Sequence, residues 1–108
     1  MFNFFKSSTL SQEKAYAEMQ TNKTIKLLDV RTREEYKDGH IAGSVNLPLD
    51  MLPQRLSGML PNKEAKIFVI CLSGSRAANA VSFMKKAGYT DVHNIGGVST
   101  WQYGLTRK

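Results

Sequence analysis

The fold is decided by the stretch Ile67-Phe68-Val69-Ile70-Cys71-Leu72-Ser73-Gly74-Ser75-Arg76-Ala77-Ala78. Its first four residues are apolar, and a short apolar run followed by turn-forming residues predicts a buried β-strand. The strand ends in Cys71, the only cysteine of the chain. After a short Ser/Gly loop, apolar residues recur at helical spacing as far as Gly88. A buried strand that delivers a thiol to a helix N-terminus provides an anion-binding geometry that stabilises a thiolate.

A single cysteine at the end of an apolar strand is more often a small core residue than a nucleophile. The residues that follow Cys71 change this interpretation, because a core cysteine needs neither Ser73, Gly74 and Ser75 nor Arg76 after it. The backbone N–H groups of such small residues can converge on the sulfur atom. We therefore interpret Cys71 as a reactive thiol.

Strands and helices alternate along the rest of the chain. Helices are predicted over residues 12–20, after Thr32 and over residues 51–58, and short strands over residues 25–30, 45–47 and 92–95. Ser11 and Asp50 are expected to cap the first and third helices, and Thr32 with Glu35 fits a capping box. The alternation predicts an α/β fold with a parallel sheet and helices on both of its faces. Ligands of such sheets bind beyond the carboxyl ends of the strands, where Cys71 lies.

The composition restricts the class of protein. The chain has 108 residues, of which 42% are hydrophobic and 22% charged, as in one ordinary globular domain. No apolar run approaches the ~20 residues that cross a bilayer, so no membrane association is expected. The apolar N-terminal run, Met1-Phe2-Asn3-Phe4-Phe5-Lys6, is too short for the core of a secretory signal, so none is expected, and one cysteine cannot form an internal disulfide. We therefore expect a cytoplasmic protein.

The net charge of +6 arises from 15 basic and 9 acidic residues. The basic residues are scattered singly or in pairs and form no nucleic-acid motif, so no nucleic-acid partner is expected. A mildly positive field would instead draw small anionic substrates towards the loop. The two isolated histidines, His40 and His93, do not form a metal site with Cys71, so we expect neither metal nor cofactor. His40 is interpreted as a hydrogen-bonding corner residue, and Trp101 as part of the core or of a pocket rim.

Three segments form a set in a fixed order. The first comprises Leu27-Leu28-Asp29-Val30-Arg31, Glu35-Tyr36 and Gly39-His40-Ile41-Ala42-Gly43-Ser44; the second is Cys71-Leu72-Ser73-Gly74-Ser75-Arg76; the third is Asn94-Ile95-Gly96-Gly97-Val98 with Trp101. Together they resemble the motifs of single-domain rhodanese sulfurtransferases. The resemblance implies one rhodanese-like domain over residues 1–108, with its core at about residues 10–105. It also implies a five-stranded, mainly parallel sheet flanked by helices on both faces.

The resemblance implies a sulfurtransferase that acts by double displacement. Cys71 would take a sulfane sulfur from a small anionic donor, thiosulfate or a persulfide, and a thiophilic acceptor, cyanide or a thiol, would remove it. The residues that would bind the substrate are Leu72, Ser73, Gly74, Ser75 and Arg76. The protein is expected to act as a monomer, and a sulfur-relay protein is a further candidate partner.

Asp29, Arg31 and Arg76 could each either brace the loops or act directly on the substrate. Asp29 and Arg31 lie beside the site, and an ion pair that braces the loops, with Arg31 also able to pair with Glu35, is favoured over direct catalysis. Arg76 either holds the anionic donor or pairs with a carboxylate and fixes the loop. We expect a mixed role for Arg76, in which its charge dominates.

Two other function classes remain as alternatives. The first is a non-enzymatic regulatory or sulfur-relay binding module; catalytically inactive members of the family usually lack the cysteine, whereas Cys71 is present here. Phosphatases and arsenate reductases of the wider fold have five residues between cysteine and arginine, so that the loop surrounds a tetrahedral oxyanion. Here four residues separate Cys71 from Arg76, and the shorter loop suits a single sulfur atom better.

Overall fold

The computed structural model describes residues 9–108. Within them, one sheet contains β1 (Lys26–Asp29), β2 (Val45–Asn46), β3 (Ile67–Cys71) and β4 (Val92–Gly97), all parallel, in the order β2-β1-β3-β4. The expected fifth strand is wrong for this part of the chain. Beside β4 there is only an isolated parallel bridge from Thr9 to Asn94, and one residue pair does not make a strand.

Four α-helices connect or flank the strands in the described residues. They are α1 (Gln12–Thr21), α2 (Arg33–Lys37), α3 (Leu52–Met59) and α4 (Ser75–Lys86). The cap of α1 by Ser11 is confirmed, as is the capping box of Thr32 and Glu35 on α2. The predicted cap by Asp50 is wrong, because Asp50 lies inside a 3₁₀ turn, Leu49–Met51, that continues into α3.

The sheet has apolar packing on both faces because the side chains of β3 alternate between them. Ile67, Val69 and Cys71 contact the core beneath α3 and α4, whereas Phe68 and Ile70 contact a second core that includes Ala15 of α1. All five β3 residues are buried. The predicted α/β sheet with helices on both faces is therefore confirmed.

The strand register brings two loops together at the carboxyl edge of the sheet. Asp29 at the end of β1 is the direct neighbour of Ile70 in β3. The connection from β1 to α2 therefore lies beside the connection from β3 to α4, which carries the cysteine loop. Over the described residues, no helix has the length and apolar character needed to span a membrane.

Candidate active site

The thiol of Cys71 lies at the end of β3 and is almost completely buried, with 1% of the residue exposed. Its Sγ atom accepts two backbone hydrogen bonds, from Gly74 N at 2.9 Å and from Ala77 N at 3.3 Å. Helix α4 begins at Ser75, so its positive N-terminal end faces the same sulfur. These groups together stabilise negative charge on Sγ.

The turn between strand and helix depends on the backbone conformation of Gly74. This residue is the N-cap of α4 and has φ +112°, a left-handed conformation that side-chain-bearing residues rarely adopt. The conformation directs the Gly74 N–H group back at Cys71 Sγ. The turn itself therefore requires glycine at position 74, which is one of the small loop residues that predicted the sulfur cradle.

The C-terminal motif supports the loop from β4. A Cβ atom on Gly97 would lie 1.8 Å from the carbonyl oxygen of Leu72 and 2.4 Å from Ser73 N, so only glycine fits there. On the same side, Ser99 N donates to Leu72 O at 3.1 Å. Gly97 therefore lets the loop backbone pack directly on β4.

Asn94 and Gln12 hold this arrangement with side-chain amides. Asn94 Nδ2 donates to Gly74 O at 3.0 Å, and its Oδ1 accepts from Gly96 N at 2.8 Å. Gln12 Nε2 donates to the carbonyl oxygens of Ile95 and Gly97, both at 2.9 Å. The resemblance marked residues 94–98 as a motif but assigned them no role, and nothing in the local sequence indicated Gln12.

Arg76 closes the loop by pairing with Glu35 of α2. Its Nη1 and Nη2 atoms donate to Glu35 Oε1 and Oε2 at 2.7 and 2.9 Å. The guanidinium group lowers the pKa of Glu35 from 4.5 to about 2, and the carboxylate raises the pKa of Arg76. Glu35 Oε1 also accepts from the backbone N of Thr32 at 3.0 Å, so one carboxylate both caps α2 and holds Arg76.

Asp29 and Arg31 form a buried ion pair at the end of β1. Arg31 Nη2 lies 2.8 Å from Asp29 Oδ2 and also donates to Gly39 O at 2.8 Å. Arg31 Nη1 donates to the backbone oxygen of Glu35 at 3.3 Å rather than to its carboxylate, which Arg76 occupies. The structure thus contains the expected bracing network of an ion pair and hydrogen bonds: Arg31 forms its ion pair with Asp29 and meets Glu35 only through the backbone oxygen.

The remaining predicted residues separate into an exposed rim and distant positions. Leu72 is 45% exposed, and Ser73 and Ser75 are also exposed, and these three residues form the exposed rim of the loop that follows the buried Cys71. His40 is the expected corner residue, since its Nδ1 lies 2.7 Å from Tyr36 O. His93 lies 2.6 Å from Asp91 and is not part of the loop.

The chain is similar to known proteins in both sequence and fold. The family described as Rhodanese-like domain matches residues 11–103. A sulfurtransferase from Allochromatium vinosum is 33% identical over 107 residues, which cover 97% of this chain and 94% of that protein. Thiosulfate sulfurtransferase PspE from Escherichia coli K12 is 34% identical over 71 residues, covering 66% of this chain and 68% of its own.

The structural comparison gives the same result. A crystal structure of a rhodanese-like domain protein from Staphylococcus aureus superposes with a TM-score of 0.83 at 27% identity, covering 94% of this chain and 98% of that one. Because the family match spans most of the chain and includes the strand, loop and helix around Cys71, the chain belongs to the rhodanese-like domain family.

Proposed function

We propose that this protein transfers a sulfane sulfur from a small anionic donor, such as thiosulfate or a persulfide, to a thiophilic acceptor through a persulfide on Cys71. The observation that carries the proposal is the pair of N–H donors on Cys71 Sγ, from Gly74 at 2.9 Å and Ala77 at 3.3 Å. Such hydrogen bonds favour the thiolate, which is the nucleophilic form of cysteine. The names of the two sulfurtransferase relatives support this activity.

In the first step, a bond forms between Cys71 Sγ and the sulfane sulfur, and the bond from that sulfur to the rest of the donor breaks. With thiosulfate, the electron pair of the breaking bond leaves on sulfite, and no proton is transferred. In the second step, cyanide or a thiolate attacks the outer sulfur, and the electron pair of the S–S bond returns to Cys71. These are displacements at sulfur, as in thiol–disulfide exchange, and a preformed thiolate needs no general base.

The outer sulfur of the persulfide would be held at the N-terminus of α4. The N–H groups in the first turn of a helix have no intrahelical acceptor, so those of Ser75 and Arg76 are available to an anion. Leu72 and Ser73 complete the rim through which donor and acceptor would enter. This arrangement supports the assignment of residues 72–76 to substrate binding.

We assign Arg76 mainly to holding the loop. From the sequence we expect its charge to dominate, but both of its terminal nitrogens already donate to Glu35, and this favours the bracing part of the mixed role. The negative charge of Cys71 still contributes to the raised pKa of Arg76, behind the effects of Glu35. Asp29 and Arg31 would act in the same supporting way, without touching the reacting atoms.

The site is formed within one chain, which supports action as a monomer. A cytoplasmic location suits the chemistry, because a free catalytic thiol has to stay reduced. A cysteine of a sulfur-relay protein would accept the sulfur by the same chemistry as a small thiol, provided that it reaches the rim at Leu72, Ser73 and Ser75. The proposed partners are therefore a small donor and either a small or a protein-borne thiophile.

Intact mass spectrometry tests the mechanism and the residue together. The protein mixed with thiosulfate and then desalted should gain the mass of one sulfur atom, and cyanide should remove it and release thiocyanate. Cys71→Ser should fold but gain no sulfur, because a serine hydroxyl is barely ionised and cannot hold a sulfane sulfur. Sulfur mapped to another residue, or no adduct with either thiosulfate or polysulfide, would exclude the mechanism. Rapid hydrolysis of an aryl phosphate would favour the phosphatase alternative.

A further inference from the structure

We propose that Gln12, the first residue of α1, is a positioning residue for the reactive thiol of Cys71. Its side-chain amide holds an irregular stretch of β4, and the cysteine loop, residues 71–76, packs on that stretch. Gln12 acts through these residues rather than on the reacting atoms. The inference rests on the proposed function, in which the Cys71 thiolate is the nucleophile.

The irregular stretch is a β-bulge near the carboxyl end of β4. Val69 of β3 pairs with Asn94 of β4. Two residues further along β3, Cys71 pairs with Gly97, which is three residues further along β4. One residue of β3 therefore faces two of β4, residues 95 and 96, which we call the β4 bulge. Such a bulge disrupts the hydrogen-bond ladder and bends the strand, and bulges are often found beside active sites.

The Gln12 side chain holds the β4 bulge by hydrogen bonds to the backbone. Its Nε2 atom donates to Ile95 O and Gly97 O, both at 2.9 Å, and these are the carbonyl groups on either side of Gly96. Its Oε1 atom accepts from Thr100 Oγ1 at 3.2 Å. Both N–H groups of the amide are thus used. The amide cannot turn over, because its oxygen would then face two carbonyl oxygens.

Helix α1 gives the Gln12 amide a fixed position. The helix is capped at its start, where Lys14 N donates to Ser11 Oγ at 3.1 Å. Ala15, in the first turn of the same helix, is completely buried in the second core, so α1 is packed on the sheet. A side chain on a packed helix holds its partners more precisely than a side chain on a loop.

The β4 bulge is linked to the thiol by a contact on each side. After the bulge, Gly97 lies so close to the backbone of Leu72 that a Cβ atom would not fit between them. Before the bulge, Asn94 Nδ2 donates to Gly74 O at 3.0 Å, and Gly74 N donates to Cys71 Sγ at 2.9 Å. If the bulge relaxes, both contacts shift and the hydrogen bond to the sulfur weakens. This hydrogen bond favours the thiolate.

Gln12→Met tests this role, because methionine has the length and the helix propensity of glutamine but donates no hydrogen bond. In a ¹H–¹⁵N correlation spectrum, the Gly74 amide proton should move upfield as its hydrogen bond to Sγ weakens. Alkylation of Cys71 by iodoacetamide at pH 7 should slow about three- to tenfold, the effect of one hydrogen bond. Looser packing alone would instead expose the buried thiol and speed alkylation. Gln20→Met makes the same change at an exposed position of α1 and should change neither measurement.

Thr100→Val is the second variant, since it removes the hydroxyl that donates to Gln12 Oε1. It should change both measurements in the same direction but less. The proposal is wrong if Gln12→Met leaves the Gly74 resonance in place, or if its Cys71 is alkylated as fast as in the wild type or faster. Equal changes in Gln20→Met would also overturn it, as would no change in Thr100→Val, even if Gln12→Met did not fold. Neither measurement needs sulfur transfer, so a wild type that forms no persulfide would count against the proposed function alone.

Discussion

Glu35 and Arg76 join the two motifs of the site through a pair of parallel hydrogen bonds of 2.7 and 2.9 Å. Planar guanidinium and carboxylate groups favour this two-point geometry, which fixes orientation as well as distance. Glu35 belongs to α2 and Arg76 to the first turn of α4. The pair therefore fixes the N-terminal end of α4, and with it the amides around Cys71, relative to the neighbouring loop.

Breaking this pair should distinguish the two roles of Arg76. If the guanidinium braces the loop, both Glu35→Gln and Arg76→Lys should lower kcat/KM for thiosulfate about five- to thirtyfold, which corresponds to roughly 1–2 kcal/mol of lost loop positioning. If it instead holds the donor, Glu35→Gln frees it for that task and should lower KM. Steady-state kinetics with thiosulfate and cyanide decide between these outcomes.

Thr32→Ala is the control for this comparison. Glutamine at position 35 can still complete the capping box, so Glu35→Gln removes the charge and keeps the cap. Thr32→Ala removes the cap hydrogen bond that Thr32 Oγ1 accepts from Glu35 N and the one that it donates to Glu35 Oε1, but it leaves the carboxylate able to pair with Arg76. It should destabilise α2 by about 1 kcal/mol with little change in kcat/KM. A loss of activity as large as in Glu35→Gln would mean that the cap, rather than the ion pair, positions the loop.

The pH dependence of stability should carry the signature of Glu35. Folding lowers the pKa of this carboxyl from 4.5 to about 2, with the Arg76 hydrogen bonds as the main cause. A lowered pKa contributes stability that is fully present above pH 4.5 and is lost as the pH falls towards 2. The side chain is 30% exposed, so solvent screening should reduce the contribution to about 1–2 kcal/mol. In urea unfolding, the difference in free energy of unfolding between wild type and Glu35→Gln should therefore shrink between pH 4.5 and pH 2. A difference that stays constant over this interval would contradict the assignment.

Asn94 offers a test of the loop from the β4 side. Asn94→Asp keeps the acceptor for Gly96 N but replaces the donor to Gly74 O with a carboxylate oxygen that repels that carbonyl group. We expect kcat/KM to fall about tenfold, since one lost hydrogen bond and the repulsion amount to roughly 1–2 kcal/mol. Asn79→Asp makes the same change at an exposed position of α4 and should have little effect. Equal activities of the two variants would show that the Gly74 carbonyl needs no support.

The features that the sequence predicted are those that depend on neighbouring residues. The strand before Cys71, the turn at Gly74 and the helix after it follow from residues close in the chain. The capping box of Thr32 and Glu35 is also local, and it is confirmed. By contrast, Glu35 and Arg76 are 41 positions apart, and no local pattern shows which of several carboxylates Arg76 meets.

The incorrect predictions also concern features that depend on how distant segments pack. Asp50 has a suitable side chain for a cap, but the chain is already helical in a 3₁₀ turn when it reaches that residue. The strand count came from the resemblance, whereas the described residues place only a single bridge, between Thr9 and Asn94, beside β4. The role of Gln12 could not be predicted from the sequence, because its contacts with Ile95 and Gly97 exist only once α1 packs on the sheet.

The packing of Gly97 on the loop leads to the last prediction. Gly97 has an extended backbone, with φ −141° and ψ 161°, so an alanine there would meet no conformational strain. Its Cβ, however, would lie 1.8 Å from Leu72 O, and backbone atoms cannot move away as a flexible side chain can. The Gly97→Ala variant must displace the cysteine loop, which should cost about 1–3 kcal/mol of stability.

The displaced loop should also be a poorer catalyst. Because the Gly74 N–H group and the N-terminus of α4 move with the loop, we expect Gly97→Ala to lose at least tenfold in kcat/KM. Gly58→Ala is the matched control: Gly58 lies within α3, and nothing is within 4 Å of a Cβ there. That substitution should stabilise the protein by about 0.5–1 kcal/mol through helix propensity and leave activity unchanged. Thermal unfolding and steady-state kinetics on both variants provide the check, and a Gly97→Ala protein with wild-type kcat/KM would show that catalysis does not require the close contact between the loop and β4.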